Sequence, residues 1–267
     1  NKYTRCTTQH THTMKVELTE WGYKATPKTV EKLVLHIREN TTDATVIKEV
    51  LTTTGTYQNK NVPLVIEPTD VWLDLGANIG CFSLLALSRG ARVIAVEPEQ
   101  ENIEYLTMNL SANFDAGFEV VPKAVSTESR KVNFFLCRTP YNRYRHSMHL
   151  NYKRECIQVE ALALTDLLDS YPDVNAIKMD IEGEELPLLE SLTKEHVQNV
   201  NKLVFEYSFD VDTSIQRFKN IIAHLETLFD TVKYKSVPDI ERWDIKTMFP
   251  HCRNVFCTNQ KIPALAS

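Results

Sequence analysis

The chain has 267 residues, 43% hydrophobic and 24% charged, with a formal net charge of −5. That length and apolar content suit one globular domain with added elements better than two small domains. The acidic balance offers no bulk attraction to nucleic acid, and no apolar run approaches the ~18 residues a membrane helix needs.

From the amino end, residues 1–26 are rich in Thr, His and Lys with little periodicity, and are expected to form a loosely packed arm. The first ten residues are polar and make no signal peptide, and with no initiator Met the chain is expected to be part of a longer polypeptide. Pro27 opens a helical pattern that runs to Asn40, with Val30, Leu33, Val34 and Ile37 on one face. A short strand is expected over Val46–Thr53, and Asn59-Lys-Asn61 reads as a turn. An alternation then begins: strand Val71–Leu75, helix Ile79–Leu87 closed by Arg89-Gly90, strand Arg92–Val96, helix Glu101–Ala112, strand Phe118–Pro122.

Val132–Leu136 and Ile157–Leu162 read as an inserted hairpin around a polar segment, Arg138–Glu155. A helix over Thr165–Tyr171, N-capped by Thr165, follows. Then come strand Ala176–Asp180, helix Glu184–Leu192 with Pro187 in its first turn, strand Leu203–Tyr207 and helix Thr213–Phe229. Thr231–Val237 and Asn254–Thr258 close the chain as an antiparallel hairpin. Strands alternating with helices predict an α/β sandwich on a mostly parallel sheet.

The chemistry gathers at Val71-Trp-Leu-Asp-Leu-Gly-Ala-Asn-Ile-Gly80, an apolar strand, a glycine turn and a helix start. A dinucleotide site is marked by G-x-G-x-x-G, whose middle glycine lets backbone approach a pyrophosphate. Here that position is Asn78, so a pyrophosphate would meet a side chain. Glu97, at the end of the next strand and 21 residues past Gly76, can accept both hydroxyls of a ribose. An adenosine ligand without a pyrophosphate fits best, and S-adenosylmethionine is the obvious one. Of only seven glycines, Gly76, Gly80, Gly90 and Gly183 fall in or beside these segments, where a Cβ is excluded. The six cysteines are scattered without a C-x-x-C pair, which points to a reducing, cytoplasmic setting and away from zinc. Cys81 and Cys257 read as small core residues.

Asp74-Leu-Gly-Ala-Asn-Ile-Gly80, Val96-Glu-Pro98, Asn109, Lys123-Ala-Val-Ser126 and Ile177-Lys-Met-Asp-Ile-Glu-Gly-Glu184 together resemble the FkbM-type methyltransferases. These belong to the class I, S-adenosylmethionine-dependent superfamily, and the resemblance runs over roughly residues 65–210. It implies a Rossmann-like sandwich with a mostly parallel seven-stranded sheet, a terminal antiparallel hairpin and the inserted β-hairpin. Residues 1–60 would be an extension and 61–267 the methyltransferase domain. The implied activity is O-methylation of a small-molecule, polyketide or sugar hydroxyl, with S-adenosylhomocysteine as product. The implied cofactor residues are Asp74, Gly76, Ala77, Asn78, Gly80, Glu97, Pro98, Asn102, Ala124 and Asp180, with Ala124 beside the adenine.

Asp180, Glu182 and Glu184 place three carboxylates within five residues, an arrangement that needs solvent, neutralisation by Lys178, or a cation. Asp180 is a candidate grip on the methionine amino group or a general base. Glu206 is an acid in an apolar strand, costly without a partner, and is placed at the pocket as a catalytic candidate. A divalent metal is not expected; one would be held by Asp180, Glu182 and Glu206. The segment Arg138–Arg154 holds Arg138, Arg143, Arg145, Lys153 and Arg154 without an acid, interleaved with Tyr141, Tyr144 and Tyr152. It is a candidate grip for an acceptor carrying phosphate, carboxylate or a nucleotide-sugar, and His146 or His149 in it is a candidate general base. The expected acceptor is a glycan or related small molecule, the chain being one domain of a larger glycan-building protein. Two alternatives stay open, a nucleic-acid methyltransferase and a non-catalytic cofactor-binding domain.

Overall fold

In the computed structural model, residues 14–19, 22–27, 33–39, 41–51, 56–57, 64–137, 148, 155–208, 215–234 and 252–259 are described. In chain order the elements are β1 (Met14–Thr19), β2 (Gly22–Pro27), β3 (Leu35–Ile37), α1 (Asp43–Leu51), β4 (Val71–Leu75), α2 (Cys81–Ser88), β5 (Arg92–Val96), α3 (Gln100–Ser111), β6 (Phe118–Val121) and β7 (Ala124–Ser126). There follow β8 (Arg130–Leu136), β9 (Glu155–Ala163), α4 (Leu164–Ser170), β10 (Ala176–Met179), α5 (Glu185–Ser191), β11 (Lys202–Ser208), α6 (Ile215–Leu228), β12 (Thr231–Tyr234) and β13 (Cys252–Thr258).

Seven strands form the central sheet in the order β12-β13-β11-β10-β4-β5-β6. Only β13 runs against its neighbours, so the sheet is mostly parallel and ends in the expected antiparallel pair. Numbered among themselves in chain order, the strands stand 3-2-1-4-5-7-6. Strands buried on both faces are mostly apolar, and β4 and β10 are buried throughout, with Asp74 and Lys178 paired to each other as their charged positions. The period of two then divides the core. Leu73, Leu75, Ile94, Val96, Ile177, Met179 and Phe205 pack with α4, α5 and α6. Trp72, Val93, Ala95, Ala176 and Val204 pack with α1, α2 and α3 on the other face. The order reverses at β4, which lies between β5 and β10, and in open sheets a crevice opens at the strands' carboxyl ends at such a point. Among the described residues, no helix is long and apolar enough to cross a membrane.

The inserted hairpin is present as β8 paired antiparallel with β9, but β7 joins it in parallel to make a three-stranded sheet. The amino-terminal expectations are corrected. The arm contains β1 and β2, paired antiparallel with Thr19 opposite Gly22; Val16 and Leu18 already alternate with Lys15 and Glu17 in the sequence. Residues 33–37 are not helical: Leu33, Leu35 and Ile37 are buried while Val34 and His36 are half-buried, a period of two. The strand expected at Val46–Thr53 is instead α1, which buries Asp43, Ile47, Val50 and Leu51 at helical spacing. Ala163, not Thr165, is the N-cap of α4, and Thr165 sits in its first turn. The turn expected at 59–61 lies outside the described residues.

Helix α3 supplies the missing neighbour of β3, whose other edge pairs with β2. Asn113 Oδ1 accepts from the Val34 N–H at 2.7 Å and its Nδ2 donates to the Val34 carbonyl at 2.7 Å. One turn earlier, Asn109 Oδ1 accepts from the His36 N–H at 2.6 Å and its Nδ2 donates to the His36 carbonyl at 3.2 Å. Asn109 lies in α3 and Asn113 two residues past its end, and the two amides meet residues two apart on the strand side, a step of about 6.6 Å. Asn109 Nδ2 also donates to the Ile79 carbonyl at 2.8 Å, which ties the extension to the glycine turn.

Candidate functional site

A cavity of about 160 Å³ opens at the carboxyl ends of β4, β5 and β10. Its floor is the Gly76–Gly80 turn. Gly76 has φ 75°, and a Cβ on it would lie 1.9 Å from the Asp180 carbonyl oxygen, so the two loops touch backbone to backbone. The Gly76 and Ala77 N–H groups donate to the Val96 carbonyl at 3.0 and 3.1 Å, holding the turn against the end of β5. Asn78 adopts φ 52° without being glycine, and its Oδ1 is buried with no hydrogen-bond partner among the described residues. Asn tolerates this conformation better than most side chains, and an orphaned acceptor facing a cavity calls for a donor from a ligand.

Asp74 ends β4 fully buried. Its Oδ2 accepts from Ser83 Oγ at 2.6 Å. Lys178 Nζ, on the neighbouring β10, lies 3.1 Å from Asp74 Oδ1, in ion-pair range but off the hydrogen-bond angle, and 3.9 Å from Asp180 Oδ2. It donates to the Gly76 carbonyl at 2.8 Å. Burial by itself would lower the Lys178 pKa, but Asp74 and Asp180 outweigh it and raise it, so the group stays an ammonium. Of the three acids that follow β10, Lys178 lies near Asp180.

Glu97 is 4% exposed and sits just beyond β5. Its Oε2 accepts from the Asn78 N–H at 2.9 Å; its Oε1 accepts from the Glu99 N–H at 3.1 Å and from Asn102 Nδ2 at 3.0 Å. A carboxylate has about four acceptor positions, so one remains on Oε2 for a ligand hydroxyl, where the sequence suggests two. Burial raises the Glu97 pKa and the three donors oppose it, with the net direction upward. Asn102 is buried in α3, whose start is capped by Glu99 accepting from the Asn102 N–H at 2.6 Å.

The Asp180–Gly183 loop is held by Glu185, whose Oε1 accepts from the Ile181 N–H at 2.5 Å and Oε2 from the Gly183 N–H at 2.6 Å. Burial pushes the Glu185 carboxyl up to about 7. Glu184 accepts from Ser126 Oγ at 2.8 Å and so joins this loop to β7. The cavity brings together Gly76, Ala77, Asn78, Glu97, Pro98, Asn102, Ala124, Asp180, Glu182 and Glu206, all named from the sequence. Asp74 lies behind its wall, and Gly80 is buried against α3, where a Cβ would lie 2.8 Å from Leu106 Cδ1. His146 and His149, with most of the basic segment, lie outside the described residues. Met148 from that segment lines the cavity. Among the described residues, no three His, Cys, Asp or Glu side chains are gathered closely enough to hold a metal ion.

The sequence reading missed three residues here. Tyr57 lines the cavity, packs edge-on against Phe82 at 5.1 Å, and its hydroxyl pKa is pushed well up by burial and by Asp180 and Glu206; no spacing announced it. Glu185 was legible: with Pro187 in the first turn, an acid two residues earlier stands where free N–H groups need an acceptor. Arg38 carries no motif at all. Cys81 touches the cavity, but burial pushes its thiol pKa upward, so it is no nucleophile.

A seven-stranded sheet in the order 3-2-1-4-5-7-6, with a glycine turn after its first strand and an acid after its second, defines a class I methyltransferase fold. A family model described as the methyltransferase FkbM domain matches residues 74–235, and the chain belongs to that family. Hexuronic acid methyltransferase AglP of Haloferax volcanii is 28% identical over 150 residues, covering 55% of this chain and 59% of that protein. The match therefore spans less than two thirds of that relative. A methyltransferase FkbM structure from Methylobacillus flagellatus KT is 20% identical with a TM-score of 0.49, over 76% of this chain and 47% of that one. A precorrin-6y C5,15-methyltransferase from Geobacter metallireducens GS-15 is 13% identical with a TM-score of 0.41, over 82% of this chain and 87% of that one.

Proposed function

We propose that this chain is an S-adenosylmethionine-dependent O-methyltransferase whose acceptor is a hydroxyl of a sugar, glycan or related small molecule. The observation that carries the cofactor reading is the buried Glu97 carboxylate with one acceptor position left open beside the Gly76–Gly80 turn. The orphaned Asn78 Oδ1 in the same cavity fits an adenosine ligand with an amino-acid tail, which brings donors. The carbohydrate reading is supported by the FkbM family and by the name of the Haloferax relative, which acts on a hexuronic acid.

When bound, S-adenosylmethionine supplies a methyl group activated by sulfonium. Glu97 Oε2 would accept a ribose hydroxyl, and the backbone around Ala124 would border the adenine. Asp180, 3.9 Å from the Lys178 ammonium and at the cavity wall, would receive the methionine amino group. The protein's main work is alignment, since the leaving group is already cationic. With Asp180 engaged in that way, the acceptor hydroxyl's proton would pass to Glu206, which lines the cavity, or to His146 or His149. Residues 1–60 serve as an extension, of which Val46, Glu49, Val50, Thr56 and Tyr57 line the pocket, and 61–267 as the methyltransferase domain.

Incubation with labelled S-adenosylmethionine and a panel of sugars, nucleotide-sugars and glycan fragments, read by mass spectrometry, tests the acceptor. A gain of one methyl on a carbohydrate hydroxyl is expected; transfer confined to other hydroxyl compounds would reject the carbohydrate. Glu97→Ala is expected to weaken S-adenosylhomocysteine binding by at least about 10- to 100-fold in calorimetry, and unchanged affinity would reject the ribose assignment.

A further inference from the structure

Arg38 lies upstream of the family match at 74–235, yet its guanidinium is buried within reach of the cofactor site. Asp43 holds it in a fork: Nε donates to Oδ2 at 3.0 Å and Nη2 to Oδ1 at 2.9 Å. The remaining arm, Nη1, donates to Asn102 Oδ1 at 2.7 Å. On its other side, Asn102 Nδ2 donates to Glu97 Oε1 at 3.0 Å. An arginine can only donate and a carboxylate can only accept. Between them the Asn102 amide has a single workable orientation, oxygen towards Arg38 and nitrogen towards Glu97. Without Arg38 the amide oxygen loses this donor, and the contact with Glu97 alone is left to hold the Asn102 side chain where it is.

We infer that Arg38 is a positioning residue for the cofactor's ribose: it fixes the direction of the Asn102 amide, and that amide fixes the Glu97 carboxylate. This rests on the cofactor reading given above. It extends the binding machinery into a part of the chain outside the matched family region. Arg38 does not line the cavity, so it acts on the ribose through Asn102 and Glu97, while the buried Asp43 that its loss leaves unpaired weighs on both ligands alike.

The test compares S-adenosylhomocysteine with its 2′,3′-dideoxy analogue by calorimetry, in the wild-type chain and in Arg38→Met and Arg38→Lys. The wild type is expected to prefer the natural ribose by about 10- to 100-fold, the usual weight of a hydrogen bond to a charged group. Arg38→Met is expected to weaken S-adenosylhomocysteine about 10-fold while moving the dideoxy analogue less than about threefold, so the preference collapses. Should Arg38→Met not fold, Arg38→Lys decides. It keeps a charge beside Asp43 but lacks the fork that spans to Asn102, and the same collapse is expected. Full retention of the preference, or equal loss of both ligands, overturns the proposal while leaving the cofactor reading in place. A wild-type chain that binds neither ligand overturns both.

Discussion

Lys178 and Asp74 show how tightly the residues under the glycine turn depend on one another. Both side chains are buried, and among the described residues the polar partners of Asp74 are Ser83 and Lys178. Lys178→Met is therefore expected to destabilise the chain by about 3–5 kcal/mol, because it strands a buried charge. Adding Asp74→Asn removes that charge and is expected to recover part of the loss in urea titrations; a neutral Lys178→Met would refute the dependence. Glu185 makes a different prediction. Burial raises its pKa from 4.5 to about 7, so the folded chain holds a proton that the unfolded chain releases in that range. The stability this contributes is fully present below about pH 4.5 and is lost as the pH rises towards 7. The swing is about 3 kcal/mol. In Glu185→Gln the slope of stability against pH over that window is expected to flatten; an unchanged slope would reject the assignment. Asp74 and Asp180 are legible because they stand at strand ends followed by glycine, and Glu97 because it ends an apolar strand just before Pro98. Arg38 and Tyr57 are not, because they come from segments whose sequence carries no such mark.

At the scale of elements, legibility followed burial. The strands β4, β5, β10 and β11 are buried runs bounded by turn residues, and each was found within a residue or two. The segment that makes β3 and α1 was read in reverse, strand for helix and helix for strand. In β3 only three residues pair, too few for periodicity to decide, and the contacts that fix them come from α3, more than 70 residues away. The β-branched Val46 and Ile47 suggested a strand, while the helix is fixed by Asp43 at its start and by the core under Ile47 and Leu51. Tertiary contact outweighs local propensity in such short pieces. Asn109→Ala removes three hydrogen bonds at once, to His36 N–H, the His36 carbonyl and the Ile79 carbonyl. It is expected to cost about 2–4 kcal/mol, with faster amide exchange at His36; unchanged exchange there would show that α3 does not hold β3.

For the whole molecule, the extension and the sheet share one core. Leu35, Ile37, Ile47, Leu51 and Tyr57 belong to the same buried cluster as Trp72, Phe82 and Leu106. A chain trimmed to 61–267 would keep all of the family motifs and uncover the apolar face that α1 and β3 protect. It is expected to bind a hydrophobic dye and to lose a single cooperative urea transition; a sharp transition like that of the full chain would mark the domain as independent. The pairing of Asn109 and Asn113 with β3 has a consequence beyond holding the extension in place. A strand with a bare edge offers its N–H and carbonyl groups to any passing chain and invites association. Here two side-chain amides imitate the peptide groups of an absent neighbour and occupy the Val34 and His36 positions of that edge. The sheet of the extension can stop after three strands, with no further strand required and these positions closed to another molecule's.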